Sequence, residues 1–208
     1  MSVRVKICGI TRVEDALTAA YLGANAIGFV FWRQSARYIS PAKARAIIAA
    51  LPPFTISVGV YVDPDPEWVE ETSAVAGLNL LQFHGNESPE FCRQFSLPYI
   101  KAVRVRAGLD LLQYATLYTG ARGLLLDTYV EGAPGGTGLA FDWNLIPRNL
   151  PVPLILSGGL HAGNITRAIQ QAQPWAVDVS SGVEAAKGIK DAGKIAAFMR
   201  GVRISEGL

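Results

Sequence analysis

Short, unbroken apolar runs recur along this chain, and each is followed by a helix-like segment. Val5–Ile10, Ala26–Phe31, Ile56–Val62, Leu80–His84, Tyr99–Val105, Gly123–Asp127, Leu154–Ser157 and Ala176–Ser180 have strand character. The segments after them are Val13–Leu22, Pro41–Leu51, Glu67–Ala76, Pro89–Phe95, Leu109–Tyr118, a weak helical stretch near Trp143, Asn164–Gln171 and Ala192–Val202. Strands that read as continuous apolar runs, without alternation, are buried on both faces, as in a parallel sheet clothed by helices. Eight strand-then-helix units in 208 residues predict an α/β fold, a (β/α)8 TIM barrel at the short end of its size range. An open doubly wound sheet is the alternative, but no Gly-x-Gly-x-x-Gly follows the first strand. No linker or low-complexity stretch interrupts the pattern, so residues 1–208 are expected to form one barrel domain.

Helix starts are marked locally. Ser40 precedes Pro41 and Ser88 precedes Pro89, each a polar N-cap followed by proline at the first helical position. Thr11 is read as the start signal of the first helix. A Gly-rich loop spans Glu131–Gly138, with Gly132, Gly135, Gly136 and Gly138 around Pro134. It is either a lid over a site or a long connection.

Composition removes several function classes. Nineteen basic and 17 acidic residues leave a net charge of +2, with no basic cluster that would suit nucleic acid. Two cysteines provide neither a disulfide framework nor a Cys-x-x-Cys metal signature, and neither histidine has a second ligand at a usual spacing, so no metal and no other cofactor is expected. There is no basic-then-apolar leader and no apolar run long enough to span a bilayer. A cytoplasmic protein without membrane or nucleic-acid partners is expected, acting on a small molecule, either as monomer or homodimer.

In a (β/α)8 barrel the chemistry gathers at the C-terminal ends of the strands. The first strand ends in Cys8-Gly9, the fourth in Gln82-Phe83-His84-Gly85, the sixth in Asp127. The seventh ends in Ser157-Gly158-Gly159 and the eighth in Asp178-Val179-Ser180-Ser181-Gly182. Two loops of small residues at those last positions present backbone N–H groups with little bulk, a pattern suited to phosphate. Asp127 closes an apolar run, where desolvation favours the neutral acid and suits a general acid near neutral pH. Asp178 either joins the site or braces its loop. Arg37, in the loop after the second strand, is either a bidentate carboxylate clamp or a solvated surface arginine. His84 is read as structural or substrate-orienting, Cys92 as core and His161 as exposed.

Taken in order, these residues resemble one family. The segments are Lys6-Ile7-Cys8-Gly9-Ile10-Thr11, Phe29-Val30-Phe31 with Ser35-Ala36-Arg37-Tyr38-Ile39-Ser40, Leu81-Gln82-Phe83-His84-Gly85, Leu126-Asp127, and Gly135-Gly136-Thr137-Gly138 with Phe141-Asp142-Trp143. Leu156-Ser157-Gly158-Gly159-Leu160 and Val177-Asp178-Val179-Ser180-Ser181-Gly182-Val183-Glu184 complete the set. Together they are similar, over essentially the whole chain, to the phosphoribosylanthranilate isomerases of tryptophan biosynthesis. Leu139 departs from the polar residue frequent in that family and touches only the loop. The resemblance implies a cofactor-free Amadori rearrangement of N-(5-phosphoribosyl)anthranilate to 1-(2-carboxyphenylamino)-1-deoxyribulose 5-phosphate. It implies Cys8 as general base, Asp127 as general acid, Arg37 on the anthranilate carboxylate and the loops at Gly158-Gly159 and Ser181-Gly182 on the phosphate. Gln82, His84, Ser157, Asp178 and Ser180 complete the expected substrate-binding set. A base of this kind requires something to lower the thiol pKa, and the sequence does not show what.

Two other functions compete. The related histidine-pathway isomerases, and dual-substrate enzymes, use an aspartate at the first strand tip, where this chain has Cys8. Their half-barrel repeat supplies matching phosphate loops after strands three and four, and His84-Gly85 has no such form. A non-catalytic sugar-phosphate-binding barrel would keep the phosphate loops but lose the acid or the base, and both are present.

Overall fold

The computed structural model describes residues 2–106, 108–128, 142–205 and 207. Eight parallel strands close on themselves in sequence order: β1 Arg4–Cys8, β2 Ala26–Val30, β3 Ile56–Tyr61, β4 Leu80–Phe83, β5 Tyr99–Val105, β6 Leu124–Thr128, β7 Leu154–Leu156 and β8 Ala176–Val179. β8 pairs with β1, with Lys6 opposite Asp178, and completes the ring. The helices are α1 Val13–Tyr21, α2 Pro41–Ala50, α3 Pro66–Ala76, α4 Pro89–Arg93, α5 Leu111–Leu117, α6 Ile165–Ala172 and α7 Ala192–Ser205. Between β6 and β7 the weak helical stretch expected near Trp143 is a single 3-10 turn, Trp143–Leu145. The Gly-rich loop at 131–138 lies outside the described residues.

Alternation along each strand sorts the side chains, because a strand turns successive residues to opposite faces. Val5, Ile7, Ile27, Phe29, Leu81, Phe83, Leu156 and Val177 face the helices and form the large outer core. Ile100, Ala102, Leu125, Ile155 and Ala176 fill the lower lumen. Above them the lumen turns polar, with Lys6, Cys8, Gln82, Asp127, Ser157 and Asp178 buried at the strand ends. Gly28 makes this possible. A Cβ there would lie 2.8 Å from Cys8 Sγ and 3.1 Å from Lys6 Cε, so β2 yields its lumen space to two side chains of β1.

The caps read at Ser40 and Ser88 form as expected, with Ser40 Oγ accepting from Lys43 N–H and Ser88 Oγ from Phe91 N–H. Thr11 is a correction. Arg12 occupies the N-cap of α1 without a capping side-chain bond, and Thr11 Oγ1 donates to the Gly188 carbonyl instead. Its partner belongs to an element the sequence did not signal, a short antiparallel hairpin of β9 Glu184–Ala186 and β10 Ile189–Lys190 between β8 and α7.

Candidate active site

One cavity opens at the C-terminal mouth of the barrel. It is lined by Cys8, Arg37, Gln82, His84, Asp127, Ser157, Gly158, Gly159, Asp178, Ser180 and Ser181, with apolar walls at Val30, Trp32, Val60 and Leu160. These are residues expected from the sequence, brought together from five strand ends and the loop after β2. Gly182 is not in the lining. A Cβ on it would collide with the Leu160 carbonyl, so its part is to let the loops after β7 and β8 pass in contact.

Cys8 sits at the tip of β1 with its thiol turned into the lumen. Burial, the largest influence, pushes its pKa up, and the Asp178 carboxylate adds to this; Lys6 and Lys190 pull the other way. The expected lowering of the thiol is therefore not achieved by its surroundings. Lys6 Nζ lies 2.8 Å from Asp178 Oδ1, both nearly inaccessible. Burial works against the ammonium, but Asp178 outweighs it and holds the amine above its ordinary range. Asp178 also accepts from Ser157 Oγ at 3.3 Å. The carboxylate thus joins β1, β7 and β8 and also lines the cavity, so its position is compatible with both of its expected roles.

Asp127, across the lumen on β6, accepts its own neighbour's amide, Thr128 N–H, on Oδ1 at 2.8 Å. Its Oδ2 is 3.1 Å from His84 Nε2, and His84 Nδ1 is 3.0 Å from Gln82 Nε2. His84 therefore orients the acid, and Gln82 orients the histidine. Gln82 Oε1 is buried without a hydrogen-bond partner among the described residues. Arg104 Nη2 donates to the His84 carbonyl at 3.2 Å and steadies the end of β4.

At the opposite edge, Gly158 and Gly159 follow one another with φ of +81° and +62°. Left-handed backbone of this kind favours glycine, and a Cβ on Gly158 would collide with Thr128. Among the described residues, the N–H groups of Gly158, Gly159 and Ser181 donate to no backbone acceptor. Unengaged donors from two adjoining loops form an arrangement that can receive an anion.

Arg37 is not a solvated surface arginine. Its Nε and Nη2 each lie 2.7 Å from the two oxygens of Glu184, in a fork-to-fork pair. Glu184 Oε1 also accepts from Lys190 Nζ at 3.0 Å. Burial opposes the Glu184 carboxylate, but these two cations overcome it and hold its pKa at about 2. For Lys190 the balance falls the other way, and burial leaves its amine below the ordinary value. Three cations, Lys6, Arg37 and Lys190, thus share two carboxylates, Asp178 and Glu184, around Cys8.

Sequence reasoning missed Lys6, Lys190 and the part played by Glu184. Lys6 carried a signal, since a lysine inside a strand buried on both faces requires a counter-charge. Lys190 carried none, because its role depends on the hairpin. The remaining assignments are simple: Cys92 is buried and His161 exposed, as expected. Among the described residues there is no cluster of side chains suited to a metal, and no helix long and apolar enough to cross a membrane.

Comparison with known proteins places these features in context. A family model described as N-(5'phosphoribosyl)anthranilate (PRA) isomerase matches residues 5–201. The N-(5'-phosphoribosyl)anthranilate isomerase of Nitrosospira multiformis is 83% identical over 208 residues, covering 100% of both chains. The crystal structure of phosphoribosyl anthranilate isomerase from Thermotoga maritima superposes with a TM-score of 0.90 at 44% identity, covering 99% of this chain and 100% of that one. A crystal structure of such an enzyme in complex with reduced 1-(o-carboxyphenylamino)-1-deoxyribulose 5-phosphate gives a TM-score of 0.85 at 44% identity, with the same coverage.

Proposed function

The chain belongs to the N-(5'-phosphoribosyl)anthranilate isomerase family of tryptophan biosynthesis, and from that premise we propose that its cavity performs the rearrangement with Cys8 as base and Asp127 as acid. The observation that carries this division of labour is the placement of a thiol on β1 and a carboxyl on β6, facing one cavity across the lumen. An aldose-to-ketose rearrangement needs an acid and a base on either side of the sugar carbons.

Asp127 donates a proton to the furanose ring oxygen. The C1–O bond breaks as the anilino nitrogen lone pair forms a C1=N bond, giving an open-chain Schiff base. The Cys8 thiolate then takes the C2 proton, and the C2–H electrons form a C1=C2 bond while the C=N electrons return to nitrogen. The resulting enolamine tautomerises to the C2 ketone. His84, hydrogen-bonded to Asp127 Oδ2, keeps the acid pointed across the mouth. The N–H groups of Gly158, Gly159 and Ser181 receive the phosphate, and Arg37 receives the ring carboxylate with the edge that Glu184 leaves unengaged. Anchoring both anionic ends places C1 and C2 between acid and base, where the effective concentration of each group is high.

The test is direct. Purified protein should consume phosphoribosylanthranilate, seen as loss of its fluorescence. Cys8→Ser and Asp127→Asn should each lower kcat by at least about 100-fold, the range of a lost general acid or base, with circular dichroism unchanged. Near-normal turnover in either variant removes that residue from the mechanism.

A further inference from the structure

We propose that Glu184 is a positioning residue: it fixes the guanidinium of Arg37 for the substrate carboxylate and, through Lys190, ties that clamp to the loop at the phosphate end of the cavity. The inference rests on the reading above in which Arg37 receives the ring carboxylate.

Neither Glu184 nor Lys190 faces the cavity. Their side chains are only 6% and 0% exposed, and neither lines the cavity. Both act through residues that do. Glu184 Oε1 and Oε2 take Arg37 Nε and Nη2, so one whole edge of the planar guanidinium is spent. The other edge, with Nη1 and the second Nη2 hydrogen, is the one left for a ligand. Rotation about the arginine stem is blocked as well. A Cβ on Gly9 would collide with Arg37 Cδ, so the stem runs in a slot beneath the turn after β1.

The same carboxylate reaches the other end of the site. Lys190 Nζ binds Glu184 Oε1 at 3.0 Å and the Ser180 carbonyl at 3.1 Å, directly before Ser181. Glu184 and Lys190 are cross-strand partners in the β9–β10 hairpin. That hairpin is pinned to α1 by Lys190 N–H on Asp15 Oδ2 and to α7 by Lys194 Nζ on the Glu184 carbonyl. A barrel closes without such an element. Buried ion pairs are a weak source of stability, since desolvation offsets most of the attraction. What this network does supply is a fixed direction for Arg37 and a fixed spacing between the two anion-binding ends.

Steady-state kinetics with phosphoribosylanthranilate on Glu184→Gln, Arg37→Ala and the double variant test this. Glutamine keeps the shape but turns an N–H toward one guanidinium donor. Glu184→Gln should raise KM about tenfold or more while kcat changes less than about threefold, the pattern of lost binding. Because part of the effect runs through Arg37, Glu184→Gln should raise KM by a smaller factor in the Arg37→Ala background than in the wild type. An unchanged KM in Glu184→Gln, or losses that multiply in the double variant, overturns the proposal. An unchanged KM in Arg37→Ala has a different meaning: the carboxylate-clamp reading itself then fails. Glu184→Asp keeps the charge and the fold but withdraws the carboxylate by one methylene. It should give an intermediate KM even if Glu184→Gln does not accumulate, and a wild-type KM there also overturns the proposal.

Discussion

At the residue scale the site turns on a thiol whose surroundings oppose its ionisation. Burial and Asp178 raise the Cys8 pKa, and Lys6 and Lys190 only partly counter them. The sign of the consequence follows. A base must be deprotonated to act, so raising its pKa moves the rising limb of the pH profile toward alkaline pH. An ordinary thiol titrates near 8.5, so the rising limb that the proposed base gives to kcat/KM is expected to extend through neutrality toward about that value, with a falling limb where the proposed acid loses its proton. Iodoacetamide alkylation of Cys8 in a Cys92→Ala background should follow the rising limb alone. A plateau already complete by about pH 7 would show that the thiol is lowered, not raised. Cys8, Arg37 and Asp127 were legible as single residues because each stands at a strand end or in the loop beyond it. Their partners were not. Glu184 lies 147 positions from Arg37 along the chain, and Asp178 lies 172 from Lys6. No local pattern reports on such pairs.

Elements set where these residues can go. The helices announced by Ser-Pro starts, α2 and α4, form where local capping chemistry puts them, because a cap needs only its own next turn. Thr11 looked like the same signal, yet its hydroxyl went to the Gly188 carbonyl once the hairpin had folded against it. The hairpin itself was invisible in the sequence: three residues pair with two, and what holds them is tertiary contact. The loops after β7 and β8 are the reverse case. Their small residues, read from the sequence as phosphate-binding, do line one cavity at Gly158, Gly159 and Ser181, whereas Gly182 serves loop-to-loop packing. Gly182→Ala should push the Leu160 carbonyl and the Gly158-Gly159 turn apart. The expected result is weaker inhibition by inorganic phosphate and a higher KM, with a loss of roughly 1–3 kcal/mol in stability from overpacking. Wild-type KM and inhibition would show that the two loops have slack.

The whole molecule decides the rest by closing. A lower lumen packed with Leu125, Ile155, Ile100 and Ala176 makes a solid floor, so the polar groups above it are held at the mouth and not along a pore. Leu125→Ala should cost about 2–5 kcal/mol, the range for a buried leucine that leaves a cavity, measured by urea denaturation. The folded fraction should keep a KM near normal, since the floor supports the site without touching substrate; a large KM change would mean that the floor shapes the mouth directly. Periodicity and strand-end residues, which are local along the chain, were enough to determine eight strands, the barrel and the places where its polar groups gather; the role expected of Cys8 came only with the family resemblance. Closure of β8 on β1 decided what local order cannot carry. It put Lys6 on Asp178, brought Arg37 to Glu184 and Lys190, and left Cys8 buried among charges from both ends of the chain. Those pairings depend on distance through space, and the chain acquires that only when the ring is complete.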